Sequence, residues 1–438
     1  MNHGSGRVID RASPTDLVSL ATDVGPAPMQ VGAVVMLADG PGFDLSTIEA
    51  AITGRLQTVA RLRQRLVRAP LGHGRPYWVD DAEFDIGRHL RRVVCPPPGD
   101  ERALLELAAD LVTRPLPWSR PLWSALLVTA LGDGGAALIV VFHHVLADGI
   151  GGLAVLATLA DGRPATAAGP FPEPAPPPHE LIADAWRTRL RAVRRLPRGM
   201  ASILPVLGDM AARPARAERS SLNRPTGPRR RLAVVQADLT RIHQVCRRDG
   251  ATINDALLAT VVGALSTLLA GRGERLGTVV VSMPVSTRRT ATATQLGNHT
   301  GVLPVGLPSG PDANGNLARI AAITRASKAS GHGASAVGPL FRALGAVGAV
   351  AWFMNHQHMV HTFVTNLRGP AEPLRLGGAT ISAVLPVSAT TGNVPVAFAA
   401  LSYAGRLVVT VIADPDAVPD MAVLAASLQD ELNALTSE

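Results

Sequence analysis

Residues 142–152 read Phe-His-His-Val-Leu-Ala-Asp-Gly-Ile-Gly-Gly, directly after the apolar run Ala136-Ala-Leu-Ile-Val-Val141. The run reads as a buried strand, and Gly132-Asp-Gly-Gly135 before it makes a hairpin with a strand over 122–131. Two imidazoles and a carboxylate where such a strand leaves its sheet are costly unless they are partnered. Three readings fit the residue types: a general base with its supports, a metal site, or a polar turn. Adjacent residues on extended chain point to opposite sides, so His143 and His144 do not readily chelate one ion. The cluster His356, His358 and His361 has no carboxylate or cysteine beside it, and no metal is expected. An unperturbed imidazole titrates near pH 6.5, which leaves a neutral His available as a base. In a cleft, His144 takes a proton from an alcohol whose oxygen attacks an activated acyl carbon, then returns it to the leaving group. Asp148 either orients a histidine or pairs with an arginine from elsewhere, because the motif holds no cation of its own. Gly149 is read as the residue that lets the backbone turn sharply.

Bulk properties bound this reading. The 438 residues suggest two domains, and 47% apolar against 17% charged residues supplies ample core. Aromatics at 3% count against a base-stacking nucleic-acid surface. Cys95 and Cys246 follow no metal spacing and cannot staple a chain of this size, so a reducing cytoplasm fits best. The start, Met-Asn-His-Gly-Ser-Gly-Arg, has no apolar segment of the secretory kind. The helix-like apolar runs 256–271 and 343–356 fall short of the roughly 20 residues that span a membrane. Net charge is +8, but between residues 181 and 231 thirteen arginines face three acidic residues. The other 29 basic and 31 acidic residues nearly cancel, so the basic character belongs to one segment.

The sequence divides into residues 1–161, a Pro-rich and basic linker over 162–231, and residues 232–438. In the first part, Ser46-Thr-Ile-Glu49 has capping-box spacing, and apolar residues recur at helical intervals to Leu66, which predicts one helix over 46–66. Helices are also expected over 104–112 and 150–159. Seven prolines between 162 and 179 favour extended chain. Residues 181–196 then form an apolar helical face flanked by arginines, which suits either an anionic interface or packing on the protein with a solvated rim. In the last part, strands are expected over 232–237, 279–283, 381–386 and 407–412. Helices are expected over 239–248 and 420–433, with a long one opened by Ala251-Thr-Ile-Asn254-Asp255.

His143-His144-Val-Leu-Ala-Asp148-Gly149 matches the H-H-X-X-X-D-G signature of the coenzyme-A-dependent acyltransferase superfamily. Further stretches resemble one group within it, the bacterial wax ester synthases/diacylglycerol acyltransferases. These are Ser13-Pro-Thr-Asp16, Met29-Gln-Val-Gly32, Arg63-Gln-Arg65, Trp78-Val-Asp-Asp81, Arg120-Pro121-Leu122-Trp123, Asn254-Asp255, Pro284-Val-Ser-Thr-Arg288, Gly297-Asn298, Thr365-Asn366 to Gly369-Pro370, and Ser402-Tyr403.

The resemblance implies an α/β chain of two chloramphenicol-acetyltransferase-like subdomains with an active-site tunnel at their interface. It implies His144 as general base, His143 and Gly149 as its structural support, and Asp148 paired with an arginine. Arg288 is the candidate for that pairing, with Arg289 beside it as the alternative. Asn254 is read either as an oxyanion donor or as a helix cap, with Asp255 next to it. Pro121, Leu122 and Trp123 are read as shaping a substrate channel, Trp123 with a core strand position as its alternative. Acyl-CoA serves as co-substrate with no other cofactor, and diacylglycerol or a fatty alcohol as acceptor.

The expected activity is esterification of diacylglycerol to triacylglycerol, with fatty alcohols giving wax esters. The alternatives are transfer from a carrier-protein thioester to a polyketide-like or glycolipid alcohol, and a homologue that binds lipid or acyl-CoA without turnover. The expected location is cytoplasmic, with the basic linker drawing the protein to the inner face of an anionic membrane or to lipid droplets. No nucleic-acid partner is expected, and the sequence carries no signal for oligomeric state.

Overall fold

The computed structural model describes residues 8–41, 43–162, 170–191, 217–286, 300–310, 312–330, 344 and 348–437. Its strands are β1 (Gln30–Ala38), β2 (Gln64–Val67), β3 (Tyr77–Asp80), β4 (Leu90–Val94), β5 (Trp123–Thr129), β6 (Ala136–His143) and β7 (Arg231–Asp238). They continue with β8 (Thr278–Ser286), β9 (Thr300–Pro308), β10 (Thr362–Arg368), β11 (Arg375–Leu376), β12 (Ala379–Val387), β13 (Val396–Tyr403) and β14 (Arg406–Ala413). The helices are α1 (Pro14–Thr22), α2 (Leu45–Leu56), α3 (Glu101–Thr113), α4 (Gly149–Leu159), α5 (178–191) and α6 (Leu239–Arg248). The remainder are α7 (Ile253–Gly271), α8 (Ala313–Ser330), α9 (Val350–His356) and α10 (Met421–Thr436).

The hairpin expected around Gly132–Gly135 is present: β5 and β6 pair antiparallel from Trp123↔Phe142 to Val128↔Ala137. Every residue of β6 is buried, as a run without polar alternation requires. One sheet has the order β11-β12-β1-β6-β5-β4, and the other β7-β14-β13-β10-β8-β9. The architecture is the expected mixed α/β pair, but the division of the chain at the linker is not a division between sheets. Strands β11 and β12, from the C-terminal part, are built into the N-terminal sheet, where β12 pairs with β1 from Gly32↔Val387 to Ala38↔Thr380. The chain then returns to the second sheet at β13. An apolar cluster joins the two units: Val34, Ile139, Val141 and Leu385 pack with Ala399, Val408 and Ile412 and with α3.

Two expectations are corrected, and one pair of alternatives is narrowed. The helix predicted over 46–66 ends at Leu56, and its cap is Asp44, whose carboxylate accepts the Thr47 amide at 2.9 Å. Leu62 and Leu66 are buried, but Leu62 lies in a 3-10 turn and Leu66 in the β2–β3 ribbon, where it pairs with Trp78. Apolar residues four apart satisfy both arrangements, and the ribbon partner decides between them. The long helix α7 starts before the apolar run and, at 19 residues, is long and apolar enough to cross a membrane by length and composition. It is instead the core helix of the C-terminal unit, with Leu257, Leu258, Val261, Leu265 and Leu268 at most 1% exposed. Finally, α5 packs on the N-terminal unit: Leu181 is buried against Tyr77 and Val79, and Arg11 Nε donates to Asp184 at 2.5 Å.

Candidate active site

At the end of β6 the backbone still follows the sheet: the His143 amide donates to Leu122 O and the His144 amide to Met29 O, each at 2.9 Å. The chain then turns, with the Leu146 amide donating back to His143 O at 2.8 Å. Asp148 caps α4, accepting the Gly151 amide at 2.8 Å, and is 1% exposed. The turn is complete before Gly149, which is the first residue of the helix and has no left-handed φ. A Cβ at Gly149 would sit 3.1 Å from a Leu367 methyl of the C-terminal unit. The glycine therefore serves close approach between the units rather than a sharp turn, a correction to the reading of the motif.

The two histidines separate as the extended backbone requires. His143 is 3% exposed. Its Nδ1 accepts the Val145 amide at 3.2 Å, so Nε2 carries the proton and donates to Asp23 Oδ2, also at 3.2 Å. The Trp118 ring meets the His143 imidazole edge-on, with centroids 5.1 Å apart. Burial pushes the Asp23 carboxyl up, but the His143 hydrogen bond and the Met29 amide at 2.7 Å outweigh it and hold it below the usual carboxylate range. Asp23 was not singled out in the sequence; it lies between two stretches that were, and no spacing rule ties it to His143.

His144 turns the other way, half-buried, into a cavity between the two units with about 640 Å³ of unfilled space, part of it open to solvent. Beside the imidazole lie Asp148, Gly149, Gly152, Leu153 and Leu156, with Ser388 from the end of β12 in the same sheet; Thr365, Leu367, Ala399 and Leu401 come from the second sheet. Burial lowers the His144 pKa from its ordinary 6.5, and the Asp148 charge opposes that in part. The residue's own backbone also favours the proton, without completing a hydrogen bond of good geometry to the buried Nδ1. A neutral imidazole at an apolar cavity wall is what a general base at neutral pH needs.

The remaining candidates fall in different places. Arg288 and Arg289 lie outside the described residues. Trp123 is 1% exposed, stacks on His89 with centroids 4.6 Å apart, and donates from Nε1 to Leu62 O at 2.7 Å. Pro121, Leu122 and Trp123 do not line the cavity, because β5 turns this segment into the core of the N-terminal unit, and the channel reading is corrected accordingly. The cap of α7 is Thr252 with Asp255, in a reciprocal capping box. Asp255 also accepts Thr324 Oγ1 at 2.6 Å and ties α7 to α8. Asn254, one position into the helix, rests its amide on Met283 Sδ at 3.5 Å and does not line the cavity; it is neither the cap nor on the cavity wall. His361 Nδ1 accepts the Val280 amide and its Nε2 donates to Glu218 O. Among the described residues no group of three or more His, Cys, Asp or Glu is placed to hold a metal ion.

Comparison with known proteins gives a consistent result. A family model for the wax ester synthase/diacylglycerol acyltransferase catalytic domain matches residues 12–257, and one for the C-terminal domain of the same family matches residues 296–436. A probable diacylglycerol O-acyltransferase of Mycobacterium tuberculosis is 30% identical, covering 93% of this chain and 91% of its own. The solved wax ester synthase/diacylglycerol acyltransferase of Marinobacter aquaeolei superposes with a TM-score of 0.71 over 97% of this chain and 98% of its own, at 23% identity. The first condensation domain of the calcium-dependent antibiotic synthetase shares the fold, with a TM-score of 0.64 at 20% identity over 100% and 97% of the two chains.

Proposed function

The chain belongs to the wax ester synthase/diacylglycerol acyltransferase family and is an acyl-CoA-dependent acyltransferase, and from that premise we propose that it makes triacylglycerol from diacylglycerol, with His144 as general base and wax ester synthesis from fatty alcohols as a second activity. The observation that carries this reading is the half-buried, depressed-pKa imidazole of His144 at the wall of an apolar cavity shared by both units. His144 accepts the acceptor hydroxyl's proton as that oxygen bonds to the thioester carbonyl carbon. The C–S bond then breaks as the carbonyl re-forms, and the imidazolium gives the proton to the departing thiolate. No covalent enzyme intermediate is needed. Leu153, Leu156, Leu367, Val384 and Leu401 around the cavity suit an acyl chain. His143, held by Asp23 and the Val145 amide, positions the backbone from which His144 projects. Asp148 caps α4 and raises the proton affinity of His144.

The acceptors are lipids, which favours action at a membrane or droplet surface. On α5, Ile182, Trp186 and Leu190 recur every fourth residue and are 39%, 57% and 54% exposed, with Arg187, Arg189 and Arg191 on the same helix. Such a face suits an anionic lipid surface at the cytoplasmic side. Binding to anionic vesicles that weakens with salt is expected. Equal binding after Arg187, Arg189 and Arg191→Gln would reject that part of the proposal.

An acceptor panel tests the whole. With one long-chain acyl-CoA, diacylglycerol should be esterified fastest, hexadecanol more slowly, and a short alcohol least. Acceptance of an acylated carrier protein with acyl-CoA ignored would overturn the donor assignment. Binding of acyl-CoA without any ester formed would leave a lipid-binding homologue in place of an enzyme.

A further inference from the structure

Attack on a thioester places negative charge on the carbonyl oxygen, and in an apolar cavity that charge needs hydrogen-bond donors aimed at it. Among the described cavity-lining side chains, those with an N–H or O–H to give are His144, Thr365 and Ser388. His144 is committed to the proton of the attacking alcohol. Asp148, as a carboxylate, only accepts, and Asn254 lies away from the cavity. Neither the Thr365 nor the Ser388 hydroxyl has a hydrogen-bond partner among the described residues, so both are free to meet a ligand.

The strand registers show how these hydroxyls reach the site. Gly32 pairs with Val387, so one further step sets Ser388 beside Val31, which pairs in turn with Phe142. Side chains directly across a sheet share a face, and Val31, Phe142 and Ser388 all line the cavity, as does His144, two residues beyond Phe142. Ser388 thus lies on the His144 face of the N-terminal sheet, two strands away. At about 4.8 Å per strand, roughly 10 Å separates their strands before the side chains reach inwards, room for a reacting ester group. Thr365 comes from the other sheet: it pairs with Ala399, and Leu367 pairs with Leu401, and all four line the same cavity. The crossover that builds β12 into the N-terminal sheet is what brings Ser388 to the imidazole.

We infer that Ser388 and Thr365 are catalytic residues that donate hydrogen bonds to the oxyanion of the tetrahedral intermediate. The electron pair that moves onto the carbonyl oxygen as the new C–O bond forms is held by these two hydroxyls. It returns as the C–S bond breaks, and neither hydroxyl loses its proton. The inference rests on the acyl-transfer reading above.

The test uses the full chain, with kcat and KM measured for palmitoyl-CoA and diacylglycerol, and the dissociation constant of a non-cleavable palmitoyl-CoA thioether. Ser388→Ala and Thr365→Val should each lower kcat by roughly 10- to 100-fold, with thioether affinity unchanged within about twofold and KM values little altered. Thr365→Ser, which keeps the hydroxyl, should recover most of the activity, a rescue that loss of folding would not show. An unchanged kcat in the double variant would overturn the inference. So would an effect confined to the KM for diacylglycerol, which would make the hydroxyls acceptor-binding groups. If wild-type protein forms no ester, the acyl-transfer reading falls and this inference with it; if wild type is active and the variants match it, this inference alone falls.

Discussion

His144, Asp148 and Gly149 form one wall of the cavity and come from a single turn of six residues, whereas Thr365, Ser388, Ala399 and Leu401, which complete the lining, are assembled from β10, the end of β12 and β13. The first wall is set locally: a buried strand ends, adjacent side chains diverge, and Asp148 caps the helix that follows. The second exists only once two sheets have formed and β12 has crossed from one to the other. The difference suggests a division of labour in which the local wall holds the proton-transfer chemistry, and the assembled wall holds charge stabilisation and the fit of the substrate.

Substitutions on the two walls should therefore fail in different ways. The largest effect is expected for His144→Ala, which removes the base and should lower kcat by about 10³-fold with acyl-CoA affinity retained. Residual turnover within tenfold of wild type would break the division. Asp148→Asn keeps an oxygen for the Gly151 amide but loses the charge, and a fall of about 100-fold in kcat is expected as the loop shifts.

Asp23→Asn is milder. With Val145 donating to Nδ1, His143 must donate from Nε2, and an Asn can accept from His143 or from Met29 on its single oxygen but not serve both as the carboxylate does. About a tenfold fall in kcat is expected, with KM for acyl-CoA unchanged; a change in KM alone would place Asp23 outside the positioning network. Gly149→Ala presses on Leu367 and should raise the KM for acyl-CoA or acceptor a few-fold while sparing kcat. Trp123→Phe gives the smallest catalytic effect. It should cost about 2 kcal/mol of stability through the lost Nε1 bond to Leu62 O, seen as a lower Tm, with acyl selectivity unchanged; altered selectivity would restore the channel role.

The same contrast explains what could be read from the sequence. The hairpin, α3, α4, α6 and the divergence of the two histidines rest on near-neighbour rules, and the structure places them where those rules put them. The end of α2 is not legible locally because Leu62 and Leu66 satisfy a helical spacing equally well, and only the pairing of Leu66 with Trp78 excludes it. The placement of β11 and β12 in the N-terminal sheet depends on pairing partners more than 340 residues away in the chain, such as Gly32 with Val387, which no local pattern encodes. The role of Asp23 is hidden in the sequence for the same reason: its partner His143 is 120 residues distant. Asn254 was placed at the right helix start, but the oxygens that satisfy its free amides belong to Thr252 and Asp255.

The central claim is that a neutral His144, depressed in pKa by burial, takes the proton from the acceptor alcohol. The most direct measurement is the pH dependence of kcat/KM for wild type and Asp148→Asn. Because the base must be unprotonated, activity should rise with pH through the His144 pKa. Burial depresses that pKa, so the wild-type midpoint should fall below 6.5. Asp148 raises it, so the Asn variant's midpoint should fall lower still. A wild-type midpoint above 6.5, or a profile that Asp148→Asn leaves in place or shifts upward, would contradict the assignment.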